Sequence, residues 1–175
     1  MRPPLSRTSS ARLDPIMNID AVDIFVREAR TYCSFVEKAS DLSLADRLRT
    51  ARARLLSLYS AALSLPLVEP HDTGASPSPD VPTNWPGFAD KDGYWEVFDP
   101  YEHEDNMPVA GSLADDILDV YRDIRRGLTL WDASQTQNAI WDWRFHFDIH
   151  WGDHAVDALR ALHRACKADV LANRA

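Results

Sequence analysis

Three histidines near the C-terminal end of the sequence have a spacing that could bind a metal ion. His146, His150 and His154 follow one another at intervals of four residues. On one continuous helix they would share a face, and neutral imidazoles four residues apart can bind zinc or another transition metal. A third ligand could come from the Glu-His-Glu segment at 102–104.

Three features of the same region weigh against a metal site. The sequence contains no H-E-x-x-H motif, which would supply a general base beside the ligands. Gly152 is expected to break a helix before His154. On a strand, His146 and His150 would share a face but lie too far apart for one ion. We therefore favour structural histidines, hydrogen-bonded to aspartates or backbone groups, and predict no cofactor and no committed metal site.

Four aspartates crowd a second segment, at positions Asp115, Asp116, Asp119 and Asp123. Paired carboxylates on a helix can hold Mg²⁺. Helical nucleotide hydrolases, however, pair acidic residues from two helices, and only one acidic helix is visible in this sequence. We favour a capped and solvated helix face, because acidic residues suit a helix N-terminus and nearby arginines can neutralise the rest.

Helices must position these residues. Apolar stripes at helical spacing predict helices over 19–38, 43–65 and from 112 to about 131, with Ser43 and Ser112 as N-caps. The short first connection predicts an antiparallel pair. A loop rich in Pro, Gly and Ser is predicted over 66–93 and anchored by Trp85 and Phe88. Residues 1–17 are predicted to be a disordered tail, and 18–173 a single domain.

The segment 141–151 gives an ambiguous pattern. Apolar and polar residues alternate strictly, and this period of two slightly favours a strand. On a helical wheel the same residues form two apolar faces, one of which contains Trp141, Phe145 and Ile149. The opposite face contains Trp143 and Trp151, as in a central helix packed on both sides.

Three motifs carry a resemblance to a known family. They are the runs Gly93-Tyr-Trp-Glu-Val-Phe-Asp-Pro100, Gly111-Ser-Leu-Ala-Asp-Asp-Ile-Leu-Asp-Val-Tyr-Arg-Asp123 and Trp141-Asp-Trp-Arg-Phe-His-Phe-Asp-Ile-His-Trp-Gly-Asp-His-Ala-Val-Asp-Ala-Leu-Arg-Ala-Leu-His163. From about 22 to 167 the chain resembles bacterial domains of unknown function, in the family numbered five thousand and sixty-three. The resemblance implies an all-helical fold, with 141–151 a helix. It implies no activity, cofactor or catalytic residue.

Six polar and aromatic residues of these motifs are candidates for ligand or partner binding. They are Trp95, Glu96, Asp99, Trp143, Arg144 and Asp148. The six tryptophans of the chain all lie between 85 and 151, which could form a pocket or a protein hot spot. An aromatic core is the favoured interpretation, because such rings bury a large area wherever they sit.

Composition limits the possible partners. The 175 residues include 19 basic and 27 acidic side chains, a formal net charge of -8. This balance argues against nucleic acids and anionic membranes, and it suits a basic protein partner. Cys33 and Cys166 stand in apolar stripes without C-x-x-C spacing. The sequence has no membrane-length apolar run, secretory signal, phosphate-binding glycine loop or G-x-S-x-G motif, so we expect a cytoplasmic protein.

The sequence therefore predicts an all-α fold, an antiparallel bundle of four to five helices with a long Pro-rich loop. Its small size, acidity and lack of catalytic motifs favour a non-enzymatic protein-binding or regulatory protein, a class that includes immunity proteins and antitoxins. The alternative is a metal-dependent hydrolase that uses the helix histidines and acidic residues. Oligomeric state stays open.

Overall fold

The computed structural model describes residues 15–71, 76–97, 99–101 and 107–172. In chain order its elements are α1 (Pro15–Glu37), a 3₁₀ helix (Ala39–Asp41), α2 (Leu44–Ala62), a second 3₁₀ helix (Ala89–Lys91), β1 (Gly93–Glu96), β2 (Val109–Ser112), α3 (Leu113–Asp132), α4 (Thr136–His146), a π-helical turn (Phe147–Trp151) and α5 (Gly152–Ala172). The fold is mainly helical. The prediction of a purely all-α protein is wrong, because β1 and β2 form a small sheet.

The sheet is an antiparallel pair joined to the start of α3. Gly93 pairs with Ser112, and Glu96 pairs with Val109. The backbone N–H of Leu113 donates to the carbonyl of Asp92 at 2.9 Å. The Ser112 hydroxyl donates to the Asp92 carboxylate at 2.8 Å. These bonds place β1 against the N-terminal turn of α3.

The N-terminal helices begin and end near the predicted positions. α1 begins at Pro15, before the predicted start at 19, while residues 1–14 of the predicted tail lie outside the described residues. The Ser43 side chain caps α2 by accepting from the backbone N–H of Asp46 at 3.2 Å. α2 ends at Ala62, ahead of Pro66, which lacks the amide hydrogen a helix requires.

The segment after α2 is bound to the core by two aromatic residues. Residues 65–71 and 76–88 contain no helix or strand, but the 3₁₀ helix and β1 begin inside the predicted loop 66–93, so that boundary is wrong. Phe88 is fully buried. Its ring meets that of Trp85 edge-on at 5.6 Å between centroids, and Trp85 meets Phe35 at 6.2 Å. Apolar contacts therefore hold the chain against the core just before the second 3₁₀ helix and β1.

α1 and α3 pack against each other and are joined by polar contacts. Arg30, in the middle of α1, forms an ion pair of 2.5 Å with Asp132 at the end of α3. Glu37, at the end of α1, accepts a hydrogen bond of 3.1 Å from Tyr121, near the middle of α3. The hydroxyl of Tyr32 also donates to the backbone carbonyl of Ile117 at 2.9 Å, inside the core.

The segment 141–151 is helical, as the resemblance implies, and the strand pattern is misleading. α4, the π turn and α5 form one continuous helix, because Gly152 has helical angles of φ -63° and ψ -42°. The expectation that Gly152 breaks the helix is therefore wrong. In the widened π turn, a Cβ at Gly152 would overlap the carbonyl oxygen of Phe147, so this position needs a glycine. No helix of the described ranges is long and apolar enough to cross a membrane.

Tryptophans of the long helix form the centre of the core. Trp143 and Trp151 are both fully buried, and the ring of Phe25 lies 4.9 Å from that of Trp143. The indole N–H of Trp143 donates to the carbonyl of Ile124 at 3.1 Å, which satisfies its buried polar atom. A Cβ at Gly127 would overlap the Trp143 indole, so glycine is what lets α3 approach this ring. The aromatic-core interpretation holds for both tryptophans.

We expect Leu55→Ala and Ile117→Ala each to lower the free energy of unfolding by roughly 2–5 kcal/mol, through lost apolar burial and a residual cavity. Both side chains are fully buried. Urea denaturation followed by circular dichroism measures the change. The matched control is Leu56→Ala, because Leu56 is 57% exposed and should cost no more than about 0.5 kcal/mol. Equal losses in all three variants would contradict this assignment of the core.

Candidate functional site

Two buried carboxylates lie on the inner face of α3. Asp116 is 5% exposed and Asp123 is 4% exposed. The predicted solvated face is therefore wrong for these two residues. They are seven residues apart and share the helical stripe of Leu113 and Val120, which faces the bundle. Their place in this apolar stripe is the feature of the sequence that indicates their burial. A buried carboxylate needs hydrogen-bond partners.

The partners of Asp123 come from α3 itself and from the long helix. Nδ1 of His150 lies 2.7 Å from Oδ2 of Asp123, and Arg126 contacts Oδ1 at 3.0 Å. Arg126 also donates to Asp142 of α4 at 2.9 Å. Burial raises the pKa of the Asp142 carboxyl, while Arg126 opposes the rise. Nδ1 of His146 donates to the backbone carbonyl of Asp142 at 2.8 Å.

The partners of Asp116 come from β1 and α5. Nδ1 of His154 lies 2.9 Å from Oδ1 of Asp116. The Tyr94 hydroxyl lies 2.6 Å from Oδ2 of Asp116 and 2.8 Å from Glu96, so its single proton can serve only one carboxylate at a time. Burial, followed by the hydrogen bonds to these carboxylates, raises the pKa of Tyr94 far above its usual value. Tyr94 therefore stays protonated as a donor at neutral pH.

The histidines predicted to be structural do bond to aspartates or backbone, and two of them also lie beside a third acidic residue. One potential ligand atom from each of Asp119, His150 and His154 lies within 4.8 Å of the others. Nε2 of His154 is 3.8 Å from Oδ2 of Asp119, and Arg122 pairs with the other oxygen of that carboxylate. His146 is not in this group, so the row predicted from spacing is only partly correct.

Further carboxylates lie near His154 and Asp157. Burial raises the pKa of the Asp157 carboxyl, and the neighbouring charges of Glu96, Asp116 and Asp153 raise it further. The hydrogen bond to Asp116 raises the pKa of His154, against the opposing effect of its burial. The His154 shift therefore has the direction that a neighbouring negative charge produces, whereas burial is the first cause of the Asp157 shift.

The long helix has one apolar face that no element in the described ranges covers. Phe145 is 41% exposed and Ile149 is 57% exposed. The ring of Trp141 stacks on Phe145, with centroids 4.8 Å apart and planes 10° apart. The expectation of a helix packed on both sides is therefore wrong for this face, which we call the Trp141 face, although the face of Trp143 and Trp151 is buried.

The binding candidates of the first motif separate from one another. Glu96 reaches the site through the Tyr94 hydroxyl. Trp95 points to the other side of β1, because side chains alternate along a strand, and it is 71% exposed. Asp99 lies at the surface and accepts a hydrogen bond of 2.8 Å from the backbone N–H of Tyr101. Only Glu96 therefore joins the histidine region.

The binding candidates of the second motif also separate. Trp143 lies in the core. Arg144 pairs with Asp148 at 3.1 Å, one turn along the same helix. The Arg144 guanidinium lies 5.6 Å from the centroid of the Phe147 ring, in a cation–π contact. Arg144 and Asp148 immediately precede Phe145 and Ile149, so this pair borders the Trp141 face.

Comparisons with known proteins find a family model that matches part of the chain and a solved structure with a similar fold. Residues 87–168 match the family described as "Domain of unknown function (DUF5063)", which confirms the resemblance over that part of the chain. The chain is also similar to the crystal structure of protein BF1032 from Bacteroides fragilis. The two share 22% identity over 83% of this chain and 91% of that one, with a TM-score of 0.69, a likeness of fold alone. No curated protein matches the chain.

Asp116→Asn should lower the pKa of His154, because Asp116 is the main cause of its increase above 6.5. A raised folded-state pKa adds stability that is fully present below the unfolded pKa and is lost as pH rises through the folded one. We therefore expect the free energy of unfolding of wild type, with chelator present, to fall as pH rises through the raised pKa of His154. Asp116→Asn should lose less.

NMR titration of the His154 ring and urea denaturation at pH 5.5 to 9 measure these effects. His154→Gln is the control, because it lacks the titrating group and removes its share of the pH dependence. An unchanged His154 pKa in Asp116→Asn would contradict the assigned cause.

Proposed function

We propose that the protein is a non-enzymatic binding domain that holds a basic partner protein on the Trp141 face. The observation that supports this proposal is the exposure of Phe145 and Ile149, at 41% and 57%, beside the stacked Trp141 ring. Contiguous apolar surface is costly in water and commonly marks an interaction site. Aromatic anchors near the centre of an interface carry much of its binding energy.

The shape of the Trp141 face suits a helix of the partner. Its three side chains are spaced four residues apart, so they form one ridge of roughly 12 Å along the helix axis. Ridges of this spacing pack into the grooves between side chains of a second helix. An amphipathic helix laid along this ridge would bury the exposed apolar area.

Net charge favours a different protein over a second copy of this chain. Two copies would each carry a formal charge of -8 and would repel one another. A basic partner would be attracted, which raises the association rate and makes it sensitive to salt. Arg144 and Asp148 border the face as an internal ion pair, so they add little net charge of their own.

The alternative, a metal-dependent hydrolase, lacks a general base at the expected position. In an H-E-x-x-H motif the glutamate directly follows the first histidine. Here Trp151 follows His150 and is fully buried. We propose that this binding role is regulatory and that the protein acts in the cytoplasm.

Replacing both exposed anchors, as Phe145→Ser with Ile149→Ser, should abolish partner binding and leave the fold intact. Wild-type and variant protein are immobilised and incubated with lysate of the source cells. Proteins that only the wild type captures are then purified. We expect a basic protein whose Kd rises about 1,000-fold in the double variant, since two anchors of about 2 kcal/mol each are lost. Higher salt should weaken wild-type binding.

Leu56→Ser is the matched control, because Leu56 has the same 57% exposure as Ile149 but lies on α2. It should bind the partner like wild type. Undiminished affinity in the double variant would refute the proposal. Sedimentation velocity tests whether a second copy of the chain occupies the Trp141 face. Concentration-dependent dimers that the double variant loses would assign the face to a second copy of the chain instead.

A further inference from the structure

We infer that Asp119, His150 and His154 form a binding site for one divalent transition-metal ion, independently of the Trp141 face. Asp119 belongs to α3, His150 to the π turn and His154 to α5, so the site joins two antiparallel stretches of helix. The imidazole rings meet at 4.9 Å between centroids. Two imidazoles and a carboxylate are a common donor set for such ions.

The distances allow one ion to contact all three residues after a small closure. Metal bonds of about 2.0–2.2 Å place ligand atoms on one ion no more than about 4.4 Å apart. The three ligand atoms lie within 4.8 Å of one another. Nε2 of His154 is already 3.8 Å from the Asp119 carboxylate. The His150 side chain is 45% exposed and can rotate by the few tenths of an ångström that remain.

Hydrogen bonds set both imidazoles in the form that binds metal. A carboxylate can only accept, so Nδ1 of His150 donates to Asp123, and Nδ1 of His154 donates to Asp116. In a neutral ring the lone pair then lies on Nε2, the nitrogen left for an ion. Carboxylates placed behind metal-bound histidines in this way orient the ring and raise its basicity as a ligand.

The orienting carboxylates are themselves held in place. The Asp116 and Asp123 side chains are only 7% and 5% exposed. Arg126 contacts Asp123 at 3.0 Å, and Tyr94 lies 2.6 Å from Asp116. Each histidine is therefore backed by a buried, independently anchored acceptor. Surface histidines that meet by chance lack such support.

The π turn is an independent structural pointer to the same place. It spans Phe147–Trp151 and contains His150, while His154 lies in the next turn. Gly152 between them leaves room for the Phe147 carbonyl, where any other side chain would overlap it. Widened turns of this kind occur mostly inside α-helices and frequently at functional sites. Here the turn adjusts the position of one histidine relative to the other.

The donor set selects the class of ion. Imidazole suits zinc, copper, iron and nickel, whereas magnesium and calcium prefer oxygen ligands alone. Both cysteines are buried outside the group, so no thiolate contributes. Asp119 would share its charge between the ion and Arg122, which contacts its other oxygen. Water would complete the coordination, since the protein supplies three ligands.

Titration of metal-stripped protein with Zn²⁺ or Co²⁺ alone tests the inference. Calorimetry should give one ion per chain, the Co²⁺ complex should develop visible absorption bands, and bound Zn²⁺ should raise Tm by mass action. Asp119→Asn and His150→Ala should each lose stoichiometric binding while circular dichroism shows unchanged helicity. Asp123→Asn keeps all three ligands and should bind about 10–100-fold more weakly.

His146→Ala is the matched control, because its ring bonds to the Asp142 carbonyl outside the group and should leave zinc affinity unchanged. The double variant of the Trp141 face should also bind Zn²⁺ like wild type, which separates this test from that of the proposed function. Absence of one-to-one binding in wild type would overturn the inference. Zinc affinity equal to that of wild type in Asp119→Asn and His150→Ala would overturn it as well.

Discussion

The burial of Asp116 and Asp123 is the constraint on which the rest of the structure depends. A carboxylate removed from water costs several kcal/mol unless charged or polar partners replace its hydration. Those partners arrive from separate parts of the chain: Tyr94 from β1, His150 from the π turn and His154 from α5. All of these bonds form together only when the β1–β2 sheet, α3 and the long helix have one particular register. The two carboxylates therefore specify how the elements assemble, while the aromatic core supplies most of the apolar burial.

The same long helix serves three purposes on different sides. Trp143 and Trp151 bury one side in the core, and His150 and His154 turn a second toward the carboxylates of α3. The Trp141 face is what remains, and the described part of the chain has no element to cover it. An apolar face left open on a helix whose other contacts are satisfied is more easily explained by a missing partner than by poor packing.

Local signals in the sequence predicted α1, α2 and α3 and the caps of α2 and α3, because these depend on neighbouring residues. The helix over 141–151 followed only from the resemblance, since its local pattern favours a strand. The Ser112 cap and the buried position of Ile117 follow directly from spacing. Non-local features did not follow. β2 was missed, since its pairing with β1 depends on a distant strand. Burial of Asp116 was missed because charge outweighed its place in the stripe. The proximity of Asp119 to the histidines depends on the packing of α3 against the long helix, which the sequence pattern does not predict.

The π turn also has an evolutionary consequence. A π turn holds one residue more than the α-helical turn it replaces, so it behaves as an insertion absorbed within the helix. Deleting one residue there would restore an α-helical turn and leave the rest of the helix in phase. The buried row of Ala155, Ala158 and Leu162 would keep its place in the core, whereas the same deletion in a regular α-helical turn upstream would rotate that row by about 100° about the helix axis. Descendants of this gene can therefore lose one residue within the turn more readily than elsewhere in the long helix.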